Sequence, residues 1–69
     1  MFIVLELQAT EDNVTHIFTT YNSQAEAESS YHLVLSAAAV SNVPMHSALL
    51  MTAGGQVLRS ETYEHGVSA

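Results

Sequence analysis

Apolar and polar residues alternate along four stretches of the chain, which is the pattern expected of β-strands. These stretches are 2–9, 14–21, 45–53 and 56–63. Turn formers separate the members of each pair, with Glu11, Asp12 and Asn13 in the first and Gly54-Gly55 in the second. The pattern therefore predicts two β-hairpins. Because residues 2–5 are apolar on both faces, the first strand is expected to be an inner strand that is covered on both sides.

A helix is predicted between the hairpins. Ser23 is a suitable N-cap, and Pro44 ends the helix near residues 40–42 because proline cannot continue it and disfavours helical dihedrals just before it. One helical stripe suits a core-facing surface and consists of Ala27, Tyr31, Val34, Leu35 and Ala38. A second stripe, on roughly the opposite side, consists of Leu33, Ala37 and Val40. It is either ordinary exposed surface or a contact with another subunit.

Together these elements predict a ββαββ chain of the α+β class. The expected architecture is a four-stranded, mainly antiparallel sheet with one helix on one face, forming a single domain over residues 1–65. Residues 66–69 are small and unpatterned, so a flexible C-terminal tail is expected there.

Turn composition suggests a register for each hairpin. A two-residue Asp12-Asn13 loop would place Leu7 opposite Phe18 and Leu5 opposite Thr20, whereas a longer loop would shift this pairing. In the second hairpin, the expected partners are Met51 with Leu58, Leu50 with Arg59, and Thr52 with Val57.

A single helix covers only one face of the sheet. The residues expected on the uncovered face are Val4, Leu50, Val57 and Tyr63.

Size and composition favour self-association. The chain has 69 residues and no cysteine, so its core is small and has neither disulfides nor thiolate metal sites to support it. A homodimer or a higher oligomer is therefore expected, built through the open face of the sheet, the second helical stripe or an edge strand. The residues expected at the subunit interface are Leu33, Ala37, Val40, Leu50, Val57 and Tyr63.

The charge balance restricts the possible partners. Seven carboxylates oppose one fixed cation, Arg59, and the formal net charge is −6. Direct binding to nucleic acid or to an anionic membrane is not expected, because both need clusters of Lys and Arg. A basic protein surface remains a possible partner, although the charge could also serve solubility alone. The carboxylates expected to contact such a partner are Glu11, Asp12, Glu61 and Glu64.

No catalytic or cofactor motif stands out. The four histidines share no ligand spacing, so no metal site is expected. There is no nucleophile elbow, and Gly54-Gly55 precedes neither a helix nor a lysine, so it is no phosphate loop. A non-enzymatic protein without a cofactor is expected. The apolar run 1–5 is too short for a signal peptide or a membrane span, which favours a cytoplasmic location.

Several segments carry a resemblance to a known group of proteins. They are Gln24-Ala25-Glu26-Ala27-Glu28, Tyr31-His32, Ala37 to Val40, Val43-Pro44-Met45-His46-Ser47-Ala48 and Arg59-Ser60-Glu61-Thr62-Tyr63-Glu64-His65. The chain resembles very small, uncharacterised proteins encoded by phages and prophages of Gram-positive and gut bacteria. These segments span most of the chain but bring no catalytic residues with them.

The resemblance implies a mobile-element context, and with it the host cytoplasm as location. Such genes commonly encode virion parts or inhibitors of host defence. The leading hypothesis is an oligomeric phage protein that binds a protein partner, most specifically a host-defence effector such as a CRISPR nuclease with a basic nucleic-acid channel. The alternatives are a virion assembly component and a protein that sequesters a small ligand between subunits.

Overall fold

The computed structural model describes residues 1–65 and shows the predicted ββαββ order. The elements are β1 (Phe2–Ala9), β2 (Val14–Tyr21), α1 (Gln24–Ala39), β3 (Met45–Thr52) and β4 (Val57–Glu64). The four strands form one antiparallel sheet in the order β2-β1-β3-β4, and α1 packs on one face. The α+β class and the inner position of β1 are confirmed, but within residues 1–65 β1 is covered on one face only, so the expected coverage of both faces is wrong. The tail expected at 66–69 lies outside the described residues.

Helix α1 begins where its capping residue predicts. The Ser23 hydroxyl accepts a hydrogen bond from the Glu26 backbone N–H at 3.3 Å, so it satisfies one of the free donors of the first turn. The C-cap is Val40, whose N–H donates to the Ala37 carbonyl, and Pro44 follows before β3. Both ends agree with the sequence prediction.

The core lies between α1 and the two central strands. Val4 of β1 and Leu50 of β3 are opposite each other in the sheet, and Leu50 is fully buried. Ala27 and Tyr31 of α1 pack against them together with Ala48, while Val34 and Leu35 are partly buried at the margin. The core-facing helical stripe is thus confirmed. Alanines at the helix contact let α1 lie close to the sheet.

The register of the first hairpin differs from the prediction by two residues. Leu5 pairs with Phe18, and Leu7 pairs with His16. The reason is a longer loop, 10–13, in which the Thr10 N–H donates to the Asn13 carbonyl at 2.8 Å. A shift of two preserves the face on which each side chain lies, because side chains alternate with a period of two.

The second hairpin keeps the predicted pairing only in part. Leu50 lies opposite Arg59 as predicted, but Met51 lies opposite Val57, so a bulge at this point displaces Leu58. The predicted Met51–Leu58 and Thr52–Val57 pairs are therefore wrong. The turn beyond the bulge contains Gly55, whose φ of 98° is a conformation that favours glycine.

Candidate interaction surfaces

One face of the sheet carries α1, and the other carries no element of residues 1–65. We call the second one the open sheet face. Strand register places the following side chains on it: Ile3, Leu5, Leu7 and Ala9 from β1; Val14, His16, Phe18 and Thr20 from β2; Met45, Ser47, Leu49 and Met51 from β3; Val57, Ser60, Thr62 and Glu64 from β4. Its centre is therefore a continuous apolar surface that crosses three strands.

Much of this apolar surface is accessible to solvent. Val14 is 64% exposed, Phe18 57% and Met45 40%. The side chains of β1 on this face, and Leu49 and Met51 of β3, are half-buried. Contiguous apolar surface of this kind is typical of protein interaction sites.

Six polar side chains lie on the open sheet face, and two of them bond to each other. The hydroxyls of Ser47 and Thr62 lie 3.0 Å apart across β3 and β4. Within residues 1–65, Glu64, at one corner, is the single carboxylate on this face, and no Lys or Arg lies there. Covering the face therefore brings little charge into an apolar contact.

The prediction of which apolar residues remain uncovered was largely wrong. Leu50 is 0% exposed and Val4 is 3% exposed, because both lie beneath α1. Tyr63 is opposite His46 on the helix side and stacks on His65, with ring centroids 6.1 Å apart. Val57, 49% exposed, is opposite Met51 and so lies at the end of the open sheet face. Leu50 and Tyr63 therefore do not belong to an interface on that face.

The prediction of the uncovered residues is wrong because α1 packs on the more polar side of the sheet. Two polar residues flanking the core stripe of α1 find partners there: Ser30 accepts a hydrogen bond from the Tyr21 hydroxyl at 2.8 Å, and Glu28 pairs with Arg59. These contacts fix which side chains of β2 and β4 face α1. The open sheet face has a signal in the sequence that the prediction missed. It is the uniformly apolar set Ile3, Leu5, Leu7, Leu49 and Met51.

The second stripe of α1 is exposed, as predicted. Leu33 is 70% exposed and Val40 is 82% exposed, and Ala37 between them is exposed too. The stripe is narrow, and exposed polar residues such as His32 and Ser36 border it. Its role as an interface stays a prediction.

Three of the four carboxylates predicted to bind a partner lie at one end of the sheet. Glu11 and Asp12 are in the β1–β2 loop, and Glu64 ends β4 opposite Met45. The C-terminus of α1 reaches the same end, and its last turn carries no basic residue. We call this region the acidic end. Glu61 is further along β4, on the helix side, and does not belong to it.

The fixed cation of the chain is already paired. Arg59 donates from Nε to one carboxylate oxygen of Glu28 at 3.0 Å and from Nη2 to the other at 3.3 Å. This hydrogen bonding holds the pKa of Glu28 below its ordinary value. Arg59 therefore does not offset the acidic end, and the surface stays strongly anionic there.

A groove of about 460 Å³ separates α1 from β4. It is lined by Tyr31, His32, Leu35, Leu58, Arg59, Ser60 and Glu61. Burial, and then the negative charge of Glu61, raises the pKa of Tyr31. The groove exists because α1 lies mainly over β1 and β3 and leaves most of β4 uncovered.

A polar cluster lies on the helix side of the central strands β1 and β3. His46, 4% exposed, lies with Nε2 2.5 Å from a carboxylate oxygen of Glu6, and the same oxygen accepts a hydrogen bond from Gln8 at 3.0 Å. His65 instead contacts the Ala38 carbonyl through Nε2 at 2.7 Å. His46 is thus a buried histidine. Residues 1–65 contain no group of three or more potential metal ligands.

Comparison with known protein families, with curated proteins and with solved structures finds no match. In residues 1–65 no helix has both the length and the apolar character needed to cross a lipid bilayer. The function of the protein is therefore inferred from its surfaces.

Proposed function

We propose that the protein is a non-catalytic binding protein that self-associates through its open sheet face. The observation that supports this most directly is a broad apolar surface almost without charge on a chain whose net charge is −6. Apolar side chains on one sheet face are normally covered by a second layer. Here a second copy of the same sheet supplies that layer.

The area of the face reaches the lower limit for a specific contact. Four strands, each eight residues long, outline roughly 500 Å² at the usual spacings of about 4.8 Å between strands and about 3.3 Å per residue. Two such faces bury on the order of 1,000 Å² in total, which is where specific interfaces begin. Sheets pack face to face in this way in β-sandwiches.

Charge favours a second copy over a basic partner on this face. Two copies with net charge −6 repel each other wherever carboxylates meet, and the open sheet face avoids this because only Glu64 lies on it. A basic partner would find no complementary carboxylates in the apolar centre. Self-association therefore leaves the carboxylates of the loops, the helix and the helix side of the sheet exposed on the outside of the dimer.

The acidic end is then the part of the dimer that contacts a protein partner. Glu11 and Asp12 lie in the β1–β2 loop and Glu64 lies at a corner of the open sheet face, and the carbonyl end of α1, whose dipole adds negative potential, is at the same end of the sheet. A basic surface, such as the nucleic-acid channel of a host-defence effector, is complementary to it. The phage or prophage context of this proposal rests on the resemblance of the sequence segments.

Self-association is tested by placing a charge in the centre of the open sheet face. Leu49→Lys puts two ammonium groups into an apolar contact, so we expect the native mass to fall to that of the monomer or of any assembly formed elsewhere. Leu33→Lys makes the same chemical change on the exposed stripe of α1 and should leave the mass unaltered. Light scattering over a range of concentrations measures both, with circular dichroism to verify folding.

Two results would reject the proposal. One is a wild-type protein that is monomeric at every concentration. The other is a folded Leu49→Lys variant with the mass of the wild type. If only Leu33→Lys had a lower native mass, the interface would lie on the exposed helical stripe.

A further inference from the structure

The two edge strands of the sheet differ in how they are protected against pairing with another strand. Strand β4 carries Arg59, Glu61 and Glu64 along its length, and the bulge at Leu58 interrupts its register. Charges and bulges on an edge strand oppose the addition of a further strand. The β4 edge is therefore protected.

Strand β2 has none of these features. Its sequence, VTHIFTTY, contains no Lys, Arg, Asp, Glu, Pro or Gly, and it pairs with β1 without a bulge over all eight residues. Its outer backbone groups form a regular edge that no other element of residues 1–65 covers. A long, regular and uncharged edge strand is a template for strand addition.

Both sides of β2 are also apolar and exposed at its middle. Phe18 lies on the open sheet face and is 57% exposed. Ile17 lies on the helix side and is 58% exposed, because α1 packs over β1 and β3 rather than over β2. A strand added to β2 would cover apolar surface on both sides of the sheet as well as the backbone edge.

We propose that β2 is a strand-pairing site whose occupant is β2 of a second copy, in antiparallel orientation. A second copy fits because its β2 brings no carboxylate to the contact, whereas most other surfaces of a chain with net charge −6 do. The pairing joins two sheets into one of eight strands and satisfies the free backbone groups of both edges.

The alternation of side chains restricts the register. Residues directly opposite each other lie on the same side of a sheet, so a two-fold axis between Ile17 and Phe18 is excluded. The axis passes through one of these two residues. Either choice packs an exposed apolar side chain against its own counterpart, and the helices of both copies lie on the same side of the extended sheet.

This site is distinct from the open sheet face, and the two contacts are compatible. Pairing through β2 leaves the open faces of both copies side by side on one surface. A second such pair then covers that surface, which gives a closed tetramer with two-fold axes in perpendicular directions and all helices outside. Open faces alone give a dimer, as β2 pairing alone does.

The test compares Ile17→Lys with Leu33→Lys, since both place a lysine at an exposed aliphatic position away from the open sheet face. Native mass spectrometry should show four subunits for the wild type and for Leu33→Lys, and two for Ile17→Lys. Hydrogen exchange gives an independent measure. In the wild type, amides of residues 14–21 should be protected throughout, while about half of those in β4 exchange rapidly as in a free edge strand.

The outcomes separate this proposal from the proposed function. A wild-type dimer that Leu49→Lys dissociates and Ile17→Lys does not would overturn β2 pairing while leaving the open-face contact intact. A dimer with the opposite response would support β2 pairing and reject the open-face contact. If β2 amides exchange as fast as those of β4, or become protected only when another protein is bound, self-pairing through β2 is wrong.

Discussion

His46 Nε2 lies 2.5 Å from a carboxylate oxygen of Glu6, on the face of the sheet that α1 covers. The side chain of His46 is 5% exposed and that of Glu6 is 18% exposed, so little water reaches the contact. The other ring nitrogen, Nδ1, has no hydrogen-bond partner among the described residues. The Glu6 contact is thus the main compensation for burying this imidazole.

Removing either partner should therefore destabilise the fold. We expect Glu6→Leu and His46→Leu each to lower the free energy of unfolding by about 1–3 kcal/mol, because the first leaves the buried imidazole unpaired and the second leaves Glu6 with Gln8 as its remaining partner. The double variant should lose less than the sum of the two. Urea unfolding at fixed protein concentration measures this. Additive losses would show that the two side chains do not interact.

The contact between His46 and Glu6 is also one that local sequence patterns do not predict. The order of the elements, the N-cap at Ser23 and the core stripe of α1 follow from local patterns, and all are confirmed. The contact of His46 with Glu6 joins positions 40 residues apart, and it depends on which side of β1 faces the helix. Alternation alone does not decide that side, because both sides of β1 contain apolar residues.

The same limit explains the error in the uncovered residues. Leu50 and Leu49 are neighbours with the same side chain, yet Leu50 is fully buried and Leu49 lies on the open sheet face. Long-range polar contacts of α1, such as that of Glu28 with Arg59, lie on the same side of the sheet as Leu50. In the first hairpin, the loop bond from Thr10 to Asn13 determined the register, and turn composition did not reveal it.

The Arg59–Glu28 pair should be visible in the titration of Glu28. Hydrogen bonding from Arg59 lowers the pKa of Glu28 below 4.5, so Arg59→Gln should raise it toward that value. Since the pKa is lower in the folded state, the associated stabilisation is present above about pH 4.5 and is lost as the pH falls through the lowered value. Carboxyl NMR measures the shift.

His32 provides the control for this titration. Its Nε2 lies 3.9 Å from the Glu28 carboxylate, further than Arg59, and its ring is largely exposed. His32→Gln should therefore change the pKa of Glu28 much less than Arg59→Gln does. An equal effect of the two substitutions would contradict the assignment of the shift to Arg59.

Tyr31 should ionise above its ordinary pKa of 10.0, chiefly because it is buried and secondly because Glu61 is nearby. Glu61→Gln should lower this pKa in part, since burial remains. Because the folded-state pKa is raised, the stabilisation from neutral Tyr31 is complete below pH 10 and is lost as the pH rises through the raised value. Ultraviolet titration measures the change, and Tyr31→Phe identifies the signal. An ordinary pKa for this residue would contradict its burial in the core.

Charge reversal should separate the acidic end from the other carboxylates. The triple variant Glu11→Lys, Asp12→Lys and Glu64→Lys should bind a basic protein partner with an affinity more than tenfold lower. The loss of affinity should be largest at low salt. Glu26→Lys, on the first turn of α1, is the control that keeps binding. Binding curves at two salt concentrations measure the effect. Equal affinity of the triple variant would place the partner elsewhere.

Truncation of two adjacent leucines tests the assignment of the two faces. Leu50→Ala removes a side chain that is 0% exposed beneath α1, so we expect it to lower the free energy of unfolding by about 2–5 kcal/mol. Leu49→Ala should cost less at concentrations where the protein is monomeric, and should instead weaken self-association. Urea unfolding and light scattering on the same samples separate the two effects. If Leu50→Ala weakened association at little cost in stability, the helix would lie on the opposite face of the sheet.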